Sequence, residues 1–283
     1  MSAQEDSISY RIIADLLEAR TGQQIDRGRR WRIPTTLATV FRKRGISNVD
    51  QLVCLLASPG EERLADEVVE ALLNNETYFF RDRAMFDQLD DHVLPTLREK
   101  RAMRKRLNIW CAGCSTGQEP LSLAMLFRSQ KALWDGWTID IVATDISSKA
   151  IATARRGIYS QFEVQRGLSV TQMLTHFEET PEGWKVDPAL RAMIRYRERN
   201  LLEMMDPDQR FDLVLCRNVL LYFDRPTRSR AFDIIHKTMA DDGWLMLGAG
   251  ETASSLTSRL AHVPNTIGLH QPVGLMPAKR QAI

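Results

Sequence analysis

The chain has 283 residues, enough for one sizeable core or a core with a small accessory domain. Its 44% hydrophobic and 26% charged residues are ordinary globular composition. The formal net charge of +2 makes no bulk electrostatic case for binding nucleic acid or a membrane surface. The start "MSAQEDSISY" has no basic region followed by an apolar stretch, so no secretory signal is expected. Apolar runs are strand-sized, well below the roughly 20 residues of a membrane span. Four cysteines at 54, 111, 114 and 216 are too scattered for a disulfide scaffold. A soluble cytoplasmic protein is expected.

Residues 1–90 read as an all-helical domain and linker. "SYRIIADLLEARTG" puts Ile12, Ile13, Leu16 and Leu17 on one face and closes at Gly22. "PTTLATVFRKRG" starts with Pro34 in a first turn and ends at Gly45. Asn48 or Asp50 can cap "DQLVCLLAS", and "ERLADEVVEALLNN" is amphipathic. Between Arg20 and Asp50 there are eight basic residues (Arg20, Arg27, Arg29, Arg30, Arg32, Arg42, Lys43, Arg44) against Asp26 and Asp50. Such a run can equally be a solvated face.

From Leu107 the pattern changes to strands alternating with helices. "LNIWCAG", "WTIDIVATDI", "AMIRYRERNL", "RFDLVLCRNVLLYF" and "GWLMLGAGE" carry five strands; "EPLSLAMLFRSQ", "SSKAIATARRG" and "PTRSRAFDIIHKTMA" are helices. That alternation predicts a parallel sheet covered on both faces. The segment from about 160 to 190 breaks it. With the turn signal "TPEG", it reads as a small inserted helical and hairpin subdomain.

In such sheets ligands bind beyond the carboxyl ends of the strands. The small residues Ala112–Gly117 follow the first strand, Asp145 the second, Asn200 the third, and Arg217-Asn218 the fourth. An Asp at such an end can accept both ribose hydroxyls. The loop is neither a G-x-x-x-x-G-K-[ST] nor a G-x-G-x-x-G sequence, and Gly113 with Gly117 is a weak signal alone. Glu119 would repel a pyrophosphate and suits the ammonium of a methionyl group. The residues thus favour S-adenosylmethionine over NAD or ATP, with a generic doubly wound domain as the alternative. Cys111-x-x-Cys114 lacks a second ligand pair for zinc and straddles a strand end, so packing explains it and no metal is expected.

Seven segments then occur in order: "NNETYFFRD" (74–82), "STGQEP" (115–120), "ATDIS" (143–147), "ARRGIY" (154–159), "NLLE" (200–203), "CRNVLLYFD" (216–224) and "GAGE" (248–251). In this combination the chain resembles the CheR family of chemotaxis receptor methyltransferases. The resemblance implies an α/β fold: a Rossmann-like class I methyltransferase domain over 91–283, with a small inserted β-subdomain, behind an all-helical N-terminal domain. It implies transfer of a methyl group from S-adenosylmethionine to glutamate side chains of bacterial chemoreceptors, leaving S-adenosylhomocysteine. Asn75, Thr77 and Arg81 are implied to reach the cofactor from the linker, with Gly113 in the first loop. Glu119 and Asp145 are implied to bind its methionyl and ribose portions, and Asn200, Leu201, Arg217 and Asn218 to line the adenosine pocket. Arg81 and Tyr222 are implied to stand at the reacting end, although "LLYF" can also be just the end of a buried strand.

The resemblance also implies a partner, the cytoplasmic helical bundle of chemoreceptors, docked through the basic N-terminal domain by a monomeric enzyme. Three departures stand out. Charges gather at the two ends of "IPTTLATVF" instead of running through that helix. The hairpin "FEETPEGWKV" is shorter than the glycine-rich loop of members tethered to a receptor pentapeptide, so tether independence is expected. Ala249 stands where histidine is frequent. The alternatives are a methyltransferase on another substrate and a non-catalytic cofactor-binding module. The absence of an N/D-P-P-Y-type motif after the fourth strand argues against base methylation.

Overall fold

The structure is a computed structural model that describes residues 8–206 and 208–274. The chain divides into two compact units, one of residues 1–74 with 222–227, the other of residues 75–221 with 228–283. The motif segment 75–90, grouped by the sequence reading with the N-terminal domain and linker, is thus part of the second unit.

The first unit is helical: α1 (Ile8–Thr21), a 3-10 turn (Arg27–Arg32), α2 (Ile33–Thr36), α3 (Ala38–Arg44), α4 (Val49–Leu56) and α5 (Glu62–Leu72). Asn48 caps α4 by accepting from the Gln51 amide, and Gly45 closes α3 at φ 65°. The expected single helix from Pro34 to Gly45 is broken at Leu37 (φ −86°, ψ 4°). The break lets Ile33, Leu37 and Val40 all enter one core with Ile13, Leu52, Leu64 and Val68. Each such burial is worth about 1.5–3 kcal/mol.

In the second unit α6 (Arg83–Gln88) runs through a π turn (Leu89–Val93) into α7 (Leu94–Lys100). The π turn lies just before Pro95, whose nitrogen cannot donate to the preceding turn. Then follow β1 (Arg106–Ala112), α8 (Gln118–Ser129), β2 (Thr138–Asp145) and α9 (Ser148–Arg156). The insertion holds β3 (Ile158–Tyr159), α10 (Gln161–Gln165), α11 (Val170–His176), β4 (Phe177–Thr180) and β5 (Gly183–Val186). Next come α12 (Pro188–Arg191), β6 (Ile194–Glu198), β7 (Phe211–Cys216), α13 (Arg225–Thr238), β8 (Met239–Leu247), β9 (Leu260–His262) and β10 (Leu269–Pro272).

The main sheet has the order β6-β2-β1-β7-β8-β10-β9. Its first five strands pair in parallel, and β10 and β9 join antiparallel. The sheet is therefore mixed, with a reversed edge hairpin in addition to the parallel strands read from the sequence. β7 is buried along its whole length, as a strand covered on both faces must be. The inserted strands form a separate antiparallel sheet, β3-β5-β4. Its helices α10 and α11 each start with a capping box, Ser160 with Glu163 and Ser169 with Gln172.

Candidate active site

Strand order reverses at β1, which lies between β2 and β7. That switch point is where an open parallel sheet leaves a crevice at its carboxyl edge. The loop after β1 is built from left-handed residues: Gly113 at φ 80°, Ser115 at φ 49° and Gly117 at φ 97°. Packing demands both glycines. A Cβ on Gly113 would lie 2.3 Å from Val219 Cγ2, and one on Gly117 would lie 2.9 Å from Ala154 Cβ and 3.0 Å from the Tyr196 hydroxyl.

Asp145, at the end of β2, accepts from the Ser115 amide at 2.7 Å and the Ser147 amide at 2.9 Å. It thereby ties the first loop to the second. Asn75 ties them again: its carbonyl accepts from the Ser115 hydroxyl at 2.7 Å, and its side-chain amide donates to Ser147 Oγ at 3.3 Å. Tyr159, from the inserted sheet, donates to the Thr116 carbonyl at 2.8 Å. Asn200 turns its own loop by accepting from the Leu202 amide, and Leu201 is buried beside it.

The motif "FFRD" makes a strained turn. Phe80 (φ 50°) and Asp82 (φ 59°) are left-handed without being glycine. Arg217, whose side chain is 1% exposed, secures that turn by donating to the Asp82 carboxylate at 2.8 Å and the Arg81 carbonyl at 2.6 Å. The same guanidinium donates to Glu119 Oε2 at 3.1 Å. Burial pushes the Glu119 carboxyl above its usual range, and Arg217 opposes that shift. Arg81 itself donates to the Glu76 carbonyl at 2.8 Å. Thr77 is half-buried in this strap.

Glu251, in "GAGE", accepts from the Asn218 amide at 2.7 Å, the Gly248 amide at 2.9 Å and the Leu221 amide at 3.2 Å. It holds Asn218 in a left-handed conformation at φ 60°. Asp82, Glu251 and Tyr159 are structural anchors that the sequence reading missed. Each lay inside a quoted motif, but their partners are distant in sequence.

Tyr222 belongs to the first unit. There its hydroxyl accepts from Asn74 Nδ2 at 2.6 Å, and its carbonyl accepts from the Gln24 amide at 2.7 Å. Cys111 and Cys114 are both buried, and burial pushes their thiols well above the ordinary range.

Residues 75–269 match the model of the CheR methyltransferase SAM-binding domain family. The chain belongs to the CheR methyltransferase family. It is 32% identical to "Chemotaxis protein methyltransferase 1" of Pseudomonas aeruginosa, over 92% of this chain and 96% of that protein. It is also 30% identical to a "Chemotaxis protein methyltransferase" of Vibrio parahaemolyticus, over 90% of this chain and 92% of that one.

The cofactor of this CheR-family chain is S-adenosylmethionine. The residues at the switch point fit it. Asn218 Oδ1 is buried with no hydrogen-bond partner among the described residues, and a ligand donor would satisfy it. The end of β2 and the first turn of α8 supply carboxylates (Asp145, Glu119) around the loop backbone, where a dinucleotide would want a phosphate cradle. No described helix is long and apolar enough to cross a membrane.

Proposed function

We propose that the protein esterifies glutamate side chains on the cytoplasmic helices of bacterial chemoreceptors, as a step in chemotaxis adaptation. The observation that carries this reading is the Asp82–Arg217–Glu119 cluster, which ties the turn bearing Arg81 to the first turn of α8 in a family-matched domain. The names of the related chemotaxis methyltransferases supply the substrate class.

When bound, S-adenosylmethionine supplies an electrophilic methyl group on a sulfonium. Asp145 and Asn218 would hold the nucleoside portion, and Glu119, paired with Arg217, would face the methionyl ammonium. A glutamate carboxylate has an unperturbed pKa of about 4.3, so at neutral pH it is already the nucleophile and needs no general base. The chain's task is then to line up carboxylate and methyl group and exclude water, a gain of about 7–11 kcal/mol for well-oriented groups. Arg81 orients the incoming carboxylate and Tyr222 hydrogen-bonds it. The arginine-rich stretch of the first unit from Arg20 to Arg44 docks the acidic receptor helices, by charge complementarity. The enzyme acts in the cytoplasm as a monomer. The two-residue turn Pro181-Glu182 between β4 and β5 supports action without a pentapeptide tether.

Mass mapping of receptor helices after incubation with S-adenosylmethionine tests the substrate, with methylation confined to glutamates as the expected result. Full turnover in both Arg81→Ala and Tyr222→Phe, with cofactor binding intact, would remove those two roles. Micromolar binding of a receptor C-terminal peptide would remove tether independence.

A further inference from the structure

Arg166 belongs to the inserted subdomain. It ends α10, where its amide donates to the Phe162 carbonyl at 3.2 Å. Its guanidinium reaches the strap that carries Arg81. It donates to Glu76 Oε1 at 2.7 Å, and its Cζ lies 4.3 Å from the centroid of the Tyr78 ring. Arg81 converges on the same two residues. It donates to the Glu76 carbonyl at 2.8 Å, with its Cζ 5.7 Å from the Tyr78 centroid.

Two arginines, one from the strap and one from the insertion, thus share one aromatic ring and one acidic residue. The neighbouring backbone fixes the arrangement. Gly167 (φ 102°) leaves no room for a Cβ, which would lie 1.8 Å from the Phe79 carbonyl oxygen. The Phe79 ring packs edge-on against Tyr159 at 5.3 Å and Phe177 at 5.5 Å. Arg166 holds the Glu76 carboxylate below its usual range, and Arg81 adds a smaller effect of the same sign.

An exposed ion pair by itself contributes little. A planar guanidinium that both stacks on a ring and donates to a carboxylate fixes an orientation that a point charge does not. We infer that Arg166 is a positioning residue for Arg81, acting through Tyr78 and Glu76, so that the inserted subdomain sets the geometry of the substrate-orienting guanidinium. The inference rests on the reading of Arg81 given under Proposed function.

The test compares full-length wild type with Arg166→Ala and Arg166→Lys. The Arg81 Nε–Hε resonance is read by NMR, assigned from its loss in Arg81→Lys. Methyl transfer to chemoreceptor membranes and S-adenosylhomocysteine affinity are measured in parallel. In Arg166→Ala the Arg81 resonance is expected to move and kcat to fall about 10- to 100-fold, as for a misplaced orienting group. S-adenosylhomocysteine affinity is expected to stay at the wild-type value, and Arg166→Lys to recover part of kcat. Should Arg166→Ala fail to fold, Glu76→Met removes the acceptor of the Arg166 guanidinium while keeping the ring and gives the same comparison. An unmoved Arg81 resonance overturns the inference, as does a moved resonance with unchanged kcat when Arg81→Ala is itself inactive. A moved resonance with full turnover in Arg81→Ala leaves the positioning intact and removes the role of Arg81.

Discussion

Arg217 and Glu119, 98 positions apart in sequence, meet at 3.1 Å with 1% and 12% of their side chains exposed. The pair joins the end of β7 to the first turn of α8, and Asp82 extends it to the strained strap. Replacing Arg217 strands two carboxylates, one of them buried. Arg217→Met is expected to cost about 3 kcal/mol or more of stability and to abolish cofactor binding. Urea unfolding together with S-adenosylhomocysteine titration checks both. Wild-type affinity in the variant would show that the cluster does not shape the site.

Gly113 gives a steric prediction. Gly113→Ala meets Val219 and forces a left-handed alanine, for about 1–3 kcal/mol. Cofactor affinity is expected to drop about tenfold, the equivalent of 1.4 kcal/mol. Adding Val219→Ala removes the clash but not the backbone strain, so calorimetric titration should show partial recovery.

Glu251 acts on backbone alone. Glu251→Ala leaves the Asn218 and Gly248 amides without their acceptor, at a cost of about 1–3 kcal/mol. Because the same carboxylate fixes Asn218, KM for S-adenosylmethionine should rise more than kcat falls. Steady-state kinetics at varied cofactor concentration separates the two.

At the opposite edge of the sheet, Arg101 bridges the buried Asp212 and the half-buried Asp242, and Arg104 also reaches Asp212. The hydrogen bond from Arg101 lowers the Asp242 carboxyl from its ordinary 3.8 to about 2. A carboxyl whose folded pKa is depressed stabilises the fold above its unfolded pKa, and that contribution fades as pH falls through the folded value. Asp242→Asn should therefore be less stable than wild type by about 1 kcal/mol near pH 5, after allowing for solvent screening. The gap should close as pH falls from about 4 towards 2. Urea midpoints across that range check the sign.

How much of this was legible depends on where the information sits. β1, β2 and β7 announce themselves because strands buried on both faces are continuous apolar runs. β9 and β10, of three and four residues, carry no such run and exist through their antiparallel register, such as Leu269 opposite Met246. The strand ends were legible for the same reason as the strands: Gly113, Asp145 and Asn218 fall where apolar runs stop. Arg217 was read as lining the adenosine pocket; its Nη1 and Nη2 also tie Glu119, Asp82 and the Arg81 carbonyl together, which the sequence did not announce. Such pairings over about a hundred residues leave no local trace. The ring shared by Arg81 and Arg166 is hidden in the same way.

The central claim is tested most directly by label transfer. The full-length protein is incubated with methyl-labelled S-adenosylmethionine and chemoreceptor-containing membranes, and the receptor band is then treated with mild base. The account predicts label in the receptor that is released by base as methanol, as glutamyl methyl esters require. Base-stable label, or none in the receptor while the protein still binds cofactor, would contradict it.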